Sequence, residues 1–279
     1  MPEGDTVWRT ADRLNRALAG QALVMADLRW PDLSTVDLRG QRTTEVVARG
    51  KHILHRLAGD VTIHSHLRME GQWRIEATPK LAARSLHHPQ LRAVVGTCAW
   101  TALGLRLGDL HVVPTVEEHT LVGHLGPDVL GPDWDGVEAA RRLAASGASI
   151  GAALLDQRNL AGVGTMYAAE ALFLEGLGPW VLAEDLGAGG VAALVDRAHH
   201  LLVRGRRSVV QSTTGSDRRG ATHHVHGRSG RPCRRCGATV RVAMIGEPPR
   251  ERTMFYCPAC QGGLGPTDDG RPQRPLGAR

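Results

Sequence analysis

The first residues whose types and spacing could do chemistry stand at the very start, Met1-Pro2-Glu3-Gly4-Asp5-Thr6. A proline directly after the initiator methionine is a good context for methionine removal, which leaves Pro2 as a terminal secondary amine. An α-amino group titrates at about 7.7–8.0, so part of it is uncharged at working pH. Such an amine can attack an electrophilic carbon and form an iminium, or Schiff-base, intermediate. Glu3 places a carboxylate beside that amine, where it can move protons. Gly4 lets the backbone turn tightly. Of the 34 basic residues only two are lysines, Lys51 and Lys80. Arginine stays protonated whereas lysine can give up a proton, so a site needing an ammonium donor has two candidates. The bland alternative is an exposed start peptide and two surface lysines, because termini are usually poorly ordered.

A second constellation is Cys233-x-x-Cys236 and Cys257-x-x-Cys260, with 20 residues between the pairs. Four thiolates at this spacing match a tetrahedral structural zinc site. So short a segment buries little core, and metal binding would supply its folding energy. A pair of disulfides does not fit a reducing cytoplasm. The fifth cysteine, Cys98, falls in an apolar run and reads as buried and inert. His64 and His66 alternate onto one strand face, but two histidines without a third ligand are more often packed or solvated than metal-bound. In Gly162-Val163-Gly164-Thr165, two glycines and a hydroxyl at a helix start allow the backbone to approach an anion. Alone this signal is weak, since many helix connections contain glycine.

The elements that must position these groups follow from periodicity. Asp5 or Thr6 is expected to cap a helix whose apolar face is Val7, Ala11, Leu14 and Leu18, with Gly20 as its stop. Residues 22–30, 45–57, 61–69, 72–76, 91–102 and 105–113 read as strands, which at this spacing favours a β-sandwich. Lys51 opens a strand after Gly50, and Gly59-Asp60 suits a hairpin. From Gly126-Pro127-Asp128 onward helices are expected over 136–146, 149–158, 165–175 and 185–203. Residues 204–232 read as a linker or mobile loop. Val240, Val242 and Met244 with Thr253–Tyr256 form a β-hairpin carrying Arg250 and Arg252 near its tip. Residues 261–279 are Gly/Pro-rich and expected to be disordered.

Composition bounds the function. The 279 residues suggest about two domains, and 42% hydrophobic content fits a globular chain. No apolar run approaches the ~20 residues of a membrane span, and no secretory signal is visible. A cytoplasmic protein is expected. Residues 1–215 hold 22 Lys+Arg against 23 Asp+Glu, whereas residues 216–279 hold 12 Arg against 5 acids. The whole positive excess sits in the last quarter, which points to a polyanion, most simply nucleic acid.

Together these pieces resemble the formamidopyrimidine-DNA glycosylase/endonuclease VIII family of base-excision repair enzymes. The residues that carry the resemblance are Pro2-Glu3-Gly4, Arg49-Gly50-Lys51, and Ser65-His66-Leu67-x-Met69-x-Gly71-x-Trp73-Arg74. Further along come Leu125-Gly126-Pro127-Asp128, Leu155-Asp156-Gln157, Leu160-Ala161-Gly162-Val163-Gly164, His226-Gly227-Arg228, and Arg252-x-x-x-x-Cys257-x-x-Cys260-Gln261. The match spans residues 1–261 in the family's order. The Pro-Glu-Gly start leans toward the endonuclease VIII branch.

The resemblance implies an α+β multidomain fold. Residues 1–125 would form a β-sandwich catalytic domain with a leading helix, and 126–215 a helix-two-turn-helix domain. Residues 216–262 would form a linker loop and four-Cys zinc finger holding one structural Zn2+, and 263–279 a disordered tail. Damaged DNA would lie in the cleft between the domains with the damaged base flipped out, because the glycosidic carbon is unreachable in the stack. Pro2 would be the nucleophile, Glu3 the acid/base, and Lys51 a source of a proton or positive charge near the sugar or phosphate. Arg252 would hold phosphates from the finger tip, with Arg228, Gly164 and either Thr165 or Asn159 as further DNA contacts. Met69 would fill the void left by the base. The implied enzyme is a monomeric bifunctional glycosylase/AP lyase working by β,δ-elimination, with oxidised pyrimidines favoured over purines by branch. Two departures stand out. Thr165 replaces the family's Asn after Gly-x-Gly, with Asn159 six residues earlier, and Glu70 next to Met69 would face DNA unfavourably. A non-catalytic zinc-ribbon DNA-binding protein explains the basic end but leaves Pro2, Glu3 and Lys51 without work. An N-terminal-proline enzyme for small carbonyl compounds leaves the cysteines and charge asymmetry unexplained.

Overall fold

A computed structural model describes residues 2–275. The chain divides into two compact units, Met1–His124 and Leu125–Arg279. The first unit starts with α1 (Gly4–Leu18), which buries Val7, Ala11, Leu14 and Leu18 as their spacing requires. The helix begins before the expected cap. Extended Glu3 is the residue at the cap position, and its carbonyl accepts from the Thr6 and Val7 amides, each at 3.0 Å. Gly20, at φ 77°, turns the chain away after the helix.

Eight strands follow: β1 (Met25–Leu28), β2 (Thr43–Arg49), β3 (His52–Leu57), β4 (Val61–His66), β5 (Gln72–Ala77), β6 (Leu91–Gly96), β7 (Trp100–Leu105) and β8 (Asp109–Pro114). They pair into two antiparallel four-stranded sheets, β1-β6-β7-β5 and β2-β3-β4-β8. Two stretches expected as single strands are each two. Residues 45–57 break at Gly50-Lys51, where Gly50 takes φ 58°. Residues 91–102 break at Thr97-Cys98-Ala99. Cys98 is therefore exposed on a turn, contrary to its apolar surroundings in the sequence.

The inner faces of both sheets and α1 share one core that includes Leu14, Leu18, Leu23, Val46, Ile53, Ile63, Ala93, Val95 and Ala102. Leu91, Val94, Leu103 and Leu105 form a second cluster packed with Leu81 and Leu86, the latter from the short α2 (Ala83–Leu86). A register shift between Leu91 and Ala93 lets Leu91 and Val94 share a face despite their odd spacing. Trp73 of β5 donates its indole N–H to Ser65 Oγ of β4 at 3.1 Å, bonding one sheet to the other through the core. On β3, Arg56 reaches Glu118 of α3 (Glu118–Val122) at 2.7 Å and Glu45 at 2.6 Å.

The second unit holds α4 (Gly136–Ala144), α5 (Ile150–Leu155), α6 (Thr165–Glu175) and α7 (Gly187–Gly205). Asp135 caps α4 by accepting from the Glu138 amide at 2.9 Å. Helix α5 stops three residues before its expected end. Asp156 there turns outward, its carboxylate taking the Arg158 amide at 3.0 Å and its carbonyl the Asn159 amide at 3.0 Å. Helix α6 is buried on nearly every side and ends at Gly176 in the left-handed region. The hairpin β9 (Arg241–Ile245) and β10 (Arg252–Tyr256) closes the unit, with Arg241 opposite Tyr256 and Arg252 opposite Ile245.

Two stretches are better organised than their composition suggested. The irregular backbone after α7 is tied to α6 by Glu170, which is fully buried. Its carboxylate accepts from the His224, Val225 and His226 amides at 2.8 Å each, and from the Thr213 hydroxyl. A buried carboxylate is tolerated because charge-assisted hydrogen bonds replace its water. Of the tail expected to be disordered, residues 263–275 pack on the hairpin through Asp268 and Gln273, while 276–279 lie outside the described residues. Among the described residues, no helix is long and apolar enough to cross a membrane.

Candidate active site and metal centre

Pro2 is half-buried and Glu3 is 0% exposed. Two contacts fix the direction of α1 against β2. The Gly20 amide donates to the Thr43 carbonyl at 2.8 Å, and Asn15 Oδ1 accepts from the Val46 amide at 2.8 Å. The helix thus runs antiparallel to β2. From the Asn15–Val46 contact, twelve helical residues at 1.5 Å each lead back to Glu3, about 18 Å. Five strand residues at 3.3 Å lead on to Lys51, about 17 Å in the same direction. The Pro2-Glu3 start and the Gly50-Lys51 turn therefore lie at the same end of the sandwich. Lys51 is half-buried there, whereas Lys80 is exposed in a 3-10 turn after β5.

A histidine cluster beside Lys51 was visible in the sequence only as His64 and His66. The register of β3, β4 and β8 sets His52 opposite His66 and His64 opposite His111. His52 Nδ1 lies 2.8 Å from His64 Nε2, the His52 and His66 rings are 4.8 Å apart, and His64 stacks on His111 at 5.5 Å. Burial, reinforced by the neighbouring rings, pushes His52 down to about 3. Burial likewise holds His64 and His66 at about 4, with the Arg68 and Lys51 charges also acting on His66. His52, His64 and His66 are therefore neutral at neutral pH. His66 Nδ1 accepts the Arg68 amide at 2.9 Å, so its neutral ring carries the proton on Nε2.

Met69 projects from the β4–β5 turn, 65% exposed. Its neighbours are held back: Arg68 pairs with Asp109 at 2.6 Å and Glu70 with Arg106 at 2.9 Å. The ion pair offsets the charge of Glu70, the residue that looked unfavourable beside DNA.

At the start of α6, Gly162 takes φ 101°, a conformation that favours glycine. Gln157 pins this loop, accepting the Gly162 amide at 3.0 Å and donating to the Val163 carbonyl at 2.9 Å. The sequence offered Gln157 only as part of a motif and gave it no role. Gly164 occupies the cap position and Thr165 the first turn, 8% exposed. Asn159 instead directs its side-chain amide to the Ala153 carbonyl at 3.1 Å.

Among the described residues, Cys233, Cys236, Cys257 and Cys260 are the group of metal-ligating side chains that could share an ion, their sulfurs lying within 4.8 Å of one another. Cys236 and Cys257 are 3.5 Å apart, Cys233 and Cys260 4.0 Å. Tetrahedral Zn–S bonds of about 2.3 Å place sulfurs about 3.8 Å apart, so the donor set fits. Arg252 stands exposed at the far end of the hairpin. Arg228 turns inward, bonding the Pro232 carbonyl at 2.8 Å, and Arg235 lies over the Phe173 ring at 4.4 Å. These two arginines fasten the cysteine knuckle to its surroundings.

Residues 1–104 match the family model described as the formamidopyrimidine-DNA glycosylase N-terminal domain. Residues 125–216 match the formamidopyrimidine-DNA glycosylase H2TH domain. The chain is 48% identical over 272 residues to "Probable endonuclease 8 2" of Streptomyces coelicolor, covering 97% of this chain and 98% of that protein. It is 43% identical to "DNA-(apurinic or apyrimidinic site) lyase Nei2" of Mycolicibacterium smegmatis, covering 94% and 99%. Its fold is similar to a crystal structure of Lactococcus lactis formamidopyrimidine-DNA glycosylase non-covalently bound to DNA containing an AP site. That likeness has a TM-score of 0.78 at 22% identity, over 94% of this chain and 100% of that one. The class defined is a β-sandwich followed by a helix-two-turn-helix region and a four-cysteine hairpin. The chain belongs to the formamidopyrimidine-DNA glycosylase/endonuclease VIII family, on its endonuclease VIII branch.

Proposed function

We propose that this protein is a bifunctional DNA glycosylase/AP lyase of base-excision repair that removes oxidised bases, pyrimidines ahead of purines. The observation that carries the reading is the fully buried Glu3 next to Pro2, at the same end of the sandwich as Lys51. Family membership and the names of the relatives support the reaction class.

With Met1 removed, the Pro2 nitrogen attacks C1′ of the damaged nucleotide. The glycosidic bond breaks, the base leaves with its electron pair, and the proton that the nitrogen sheds on bonding C1′ neutralises it, leaving the nitrogen its lone pair. The sugar ring opens as O4′ takes a proton from Glu3, and the nitrogen lone pair forms the iminium. A secondary amine gives an iminium that cannot lose a proton, so its positive charge persists and acidifies C2′. Loss of that C2′ proton expels the 3′ phosphate, and a second elimination expels the 5′ phosphate. Water then hydrolyses the iminium and restores Pro2. Lys51 supplies positive charge or a proton near the departing phosphate.

For DNA binding, Arg252 holds phosphates from the hairpin tip, and Gly164 with Thr165 offers backbone N–H groups and a hydroxyl at the start of α6. Thr165 takes this role over Asn159, whose side-chain amide is bonded to Ala153. Exposed Met69 fills the gap left by the flipped base. Arg228, bonded inward, shapes the knuckle more than it meets DNA. The four cysteines would hold Zn2+, which contributes folding energy to the finger and takes no part in the reaction.

A panel of oligonucleotides carrying thymine glycol, dihydrouracil, 8-oxoguanine or an abasic site tests this reading. Expected are incision of the pyrimidine lesions ahead of 8-oxoguanine and strand ends bearing phosphates on both sides of the gap. Binding without incision of any of them would return the protein to a non-catalytic DNA-binding role.

A further inference from the structure

We propose that residues 263–275 form a clasp that sets the position of the β9–β10 hairpin, with Asp268 and Gln273 as its positioning residues. The proposal rests on the reading that Arg252, at the hairpin tip, holds DNA phosphates. A two-stranded hairpin is marginally stable alone in water, and here each strand has only five residues. Four sulfurs would fix one end of it, but nothing in the metal site holds the strands beyond.

The clasp bonds both strands at their base and one along its edge. The Asp268 side chain is 0% exposed. It accepts Arg241 Nε at 2.6 Å, a second Arg241 nitrogen, and the Tyr256 hydroxyl at 2.5 Å. Arg241 and Tyr256 are cross-strand partners, the first residue of β9 and the last of β10. One carboxylate thus bolts the two strands together. Gln273 does the edge work: its Oε1 accepts the Val242 amide and its Nε2 donates to the Val242 carbonyl, both at 2.8 Å. This pair copies what a third strand would offer. Thr267 adds a bond to the Met244 carbonyl at 2.6 Å.

Close approach shows the fit of the segment. A Cβ on Gly265 would stand 2.5 Å from the Trp180 ring, and one on Gly230 would stand 2.4 Å from the Arg274 backbone. Trp180 in turn packs edge-on against Tyr256 at 4.8 Å between ring centres, so the clasp is anchored to the helical part of the unit. Leverage gives the positioning its importance. Arg252 lies four strand residues from Tyr256, about 13 Å, so a 10° tilt at the base moves it by about 2 Å. That is enough to break a phosphate contact made at hydrogen-bond distance.

The test uses the full-length protein with Asp268→Asn, Gln273→Ala, Arg252→Ala and the Asp268→Asn/Arg252→Ala double variant. Zinc content, hydrogen exchange of the β9 peptide, and affinity for abasic-site DNA across a salt series are measured. Gln273→Ala should keep its zinc, exchange β9 amides faster and lose about fivefold in affinity, the worth of one or two hydrogen bonds. Asp268→Asn should lose about tenfold or more, since it leaves a buried guanidinium without its charge partner. The double variant should bind no more weakly than Arg252→Ala alone, because both changes remove the same contact. Wild-type exchange and affinity in Gln273→Ala would overturn the proposal, as would losses that add in the double variant. If Asp268→Asn sheds its zinc, Gln273→Ala alone decides between the two outcomes. Failure of the wild type to bind abasic DNA would count against the enzymatic reading, while β9 exchange would still report on the clasp.

Discussion

Lowering the pH from 7 to 5 should cost the N-terminal unit about 2 kcal/mol through His55 alone. His55 is 6% exposed in the middle of β3, its Nε2 2.8 Å from Thr43 Oγ1. Burial pushes its imidazole from 6.5 down to about 4. The unfolded chain takes up a proton near pH 6.5 and the folded chain only near 4, so the unfolded form binds more protons between them. The stabilisation is complete above pH 6.5 and is lost as the pH falls toward 4. At pH 5 the unfolded imidazole is about 30-fold more protonated than neutral while the folded one is still mostly neutral, and RT ln 30 is about 2 kcal/mol. His52, His64 and His66 act in the same direction, opposed in part by Asp109 at His64 and His66 and by Glu118 at His64. Peptide-resolved hydrogen exchange of β3, followed from pH 8 to 5 in wild type and His55→Gln, reads the effect after correction for intrinsic rates. Glutamine keeps a polar partner for Thr43 but does not titrate. The variant should show a shallower fall in stability, by up to about 1.4 kcal/mol per pH unit between pH 6.5 and 4. Superimposable pH profiles for the two proteins would refute the assignment of this acid sensitivity to buried His55.

Three further outcomes are expected. Metal analysis of the folded protein should find one zinc per chain, and Cys257→Ser should lose it together with DNA binding; a zinc-free, fully active protein would contradict this. Glu3→Gln should lower excision of damaged bases by about 10²–10⁴-fold, the usual worth of general acid–base catalysis. It should leave measurable cleavage of abasic DNA, whose exposed aldehyde condenses with Pro2 unaided, and excision at the wild-type rate would pass the acid role to Asp5 or Lys51. Arg252→Ala should weaken binding to all DNA sequences and reduce the salt slope by about 1, the signature of one lost phosphate contact. An unchanged slope would place Arg252 in solvent.

The parts of the structure legible in the sequence are those governed by local rules. The apolar face of α1 followed from 3.6-residue spacing, and the cysteine pairs from their own separation. Within the stretch read as 45–57, Gly50 with Lys51 opening a strand after it already marked the break, whereas the reversal at Thr97-Cys98-Ala99 was hidden, because apolar residues continue through that turn and only pairing partners reveal it. That is why Cys98 looked buried. The His52, His64, His66 and His111 cluster depends on the register of three strands, which no single-strand pattern specifies. The order in the loop after α7 and in the tail arises from one buried carboxylate each, Glu170 and Asp268, and from partners distant in sequence. The lack of apolar periodicity in the loop and the Gly/Pro-rich composition of the tail correctly indicate irregular backbone, but neither carries information about long-range anchoring. Asn159 was a reasonable phosphate ligand by type, and its bond to Ala153 shows a structural use that spacing could not reveal.

The central claim is that the Pro2 nitrogen is the nucleophile. Borohydride reduction during reaction with abasic-site DNA, followed by proteolysis and mass spectrometry of the trapped adduct, tests it most directly. A covalent protein–DNA adduct is expected, its attachment mapping to an N-terminal peptide that begins at Pro2, with no such adduct from protein that retains Met1. Absence of any adduct, or an adduct mapped to Lys51, would contradict the claim.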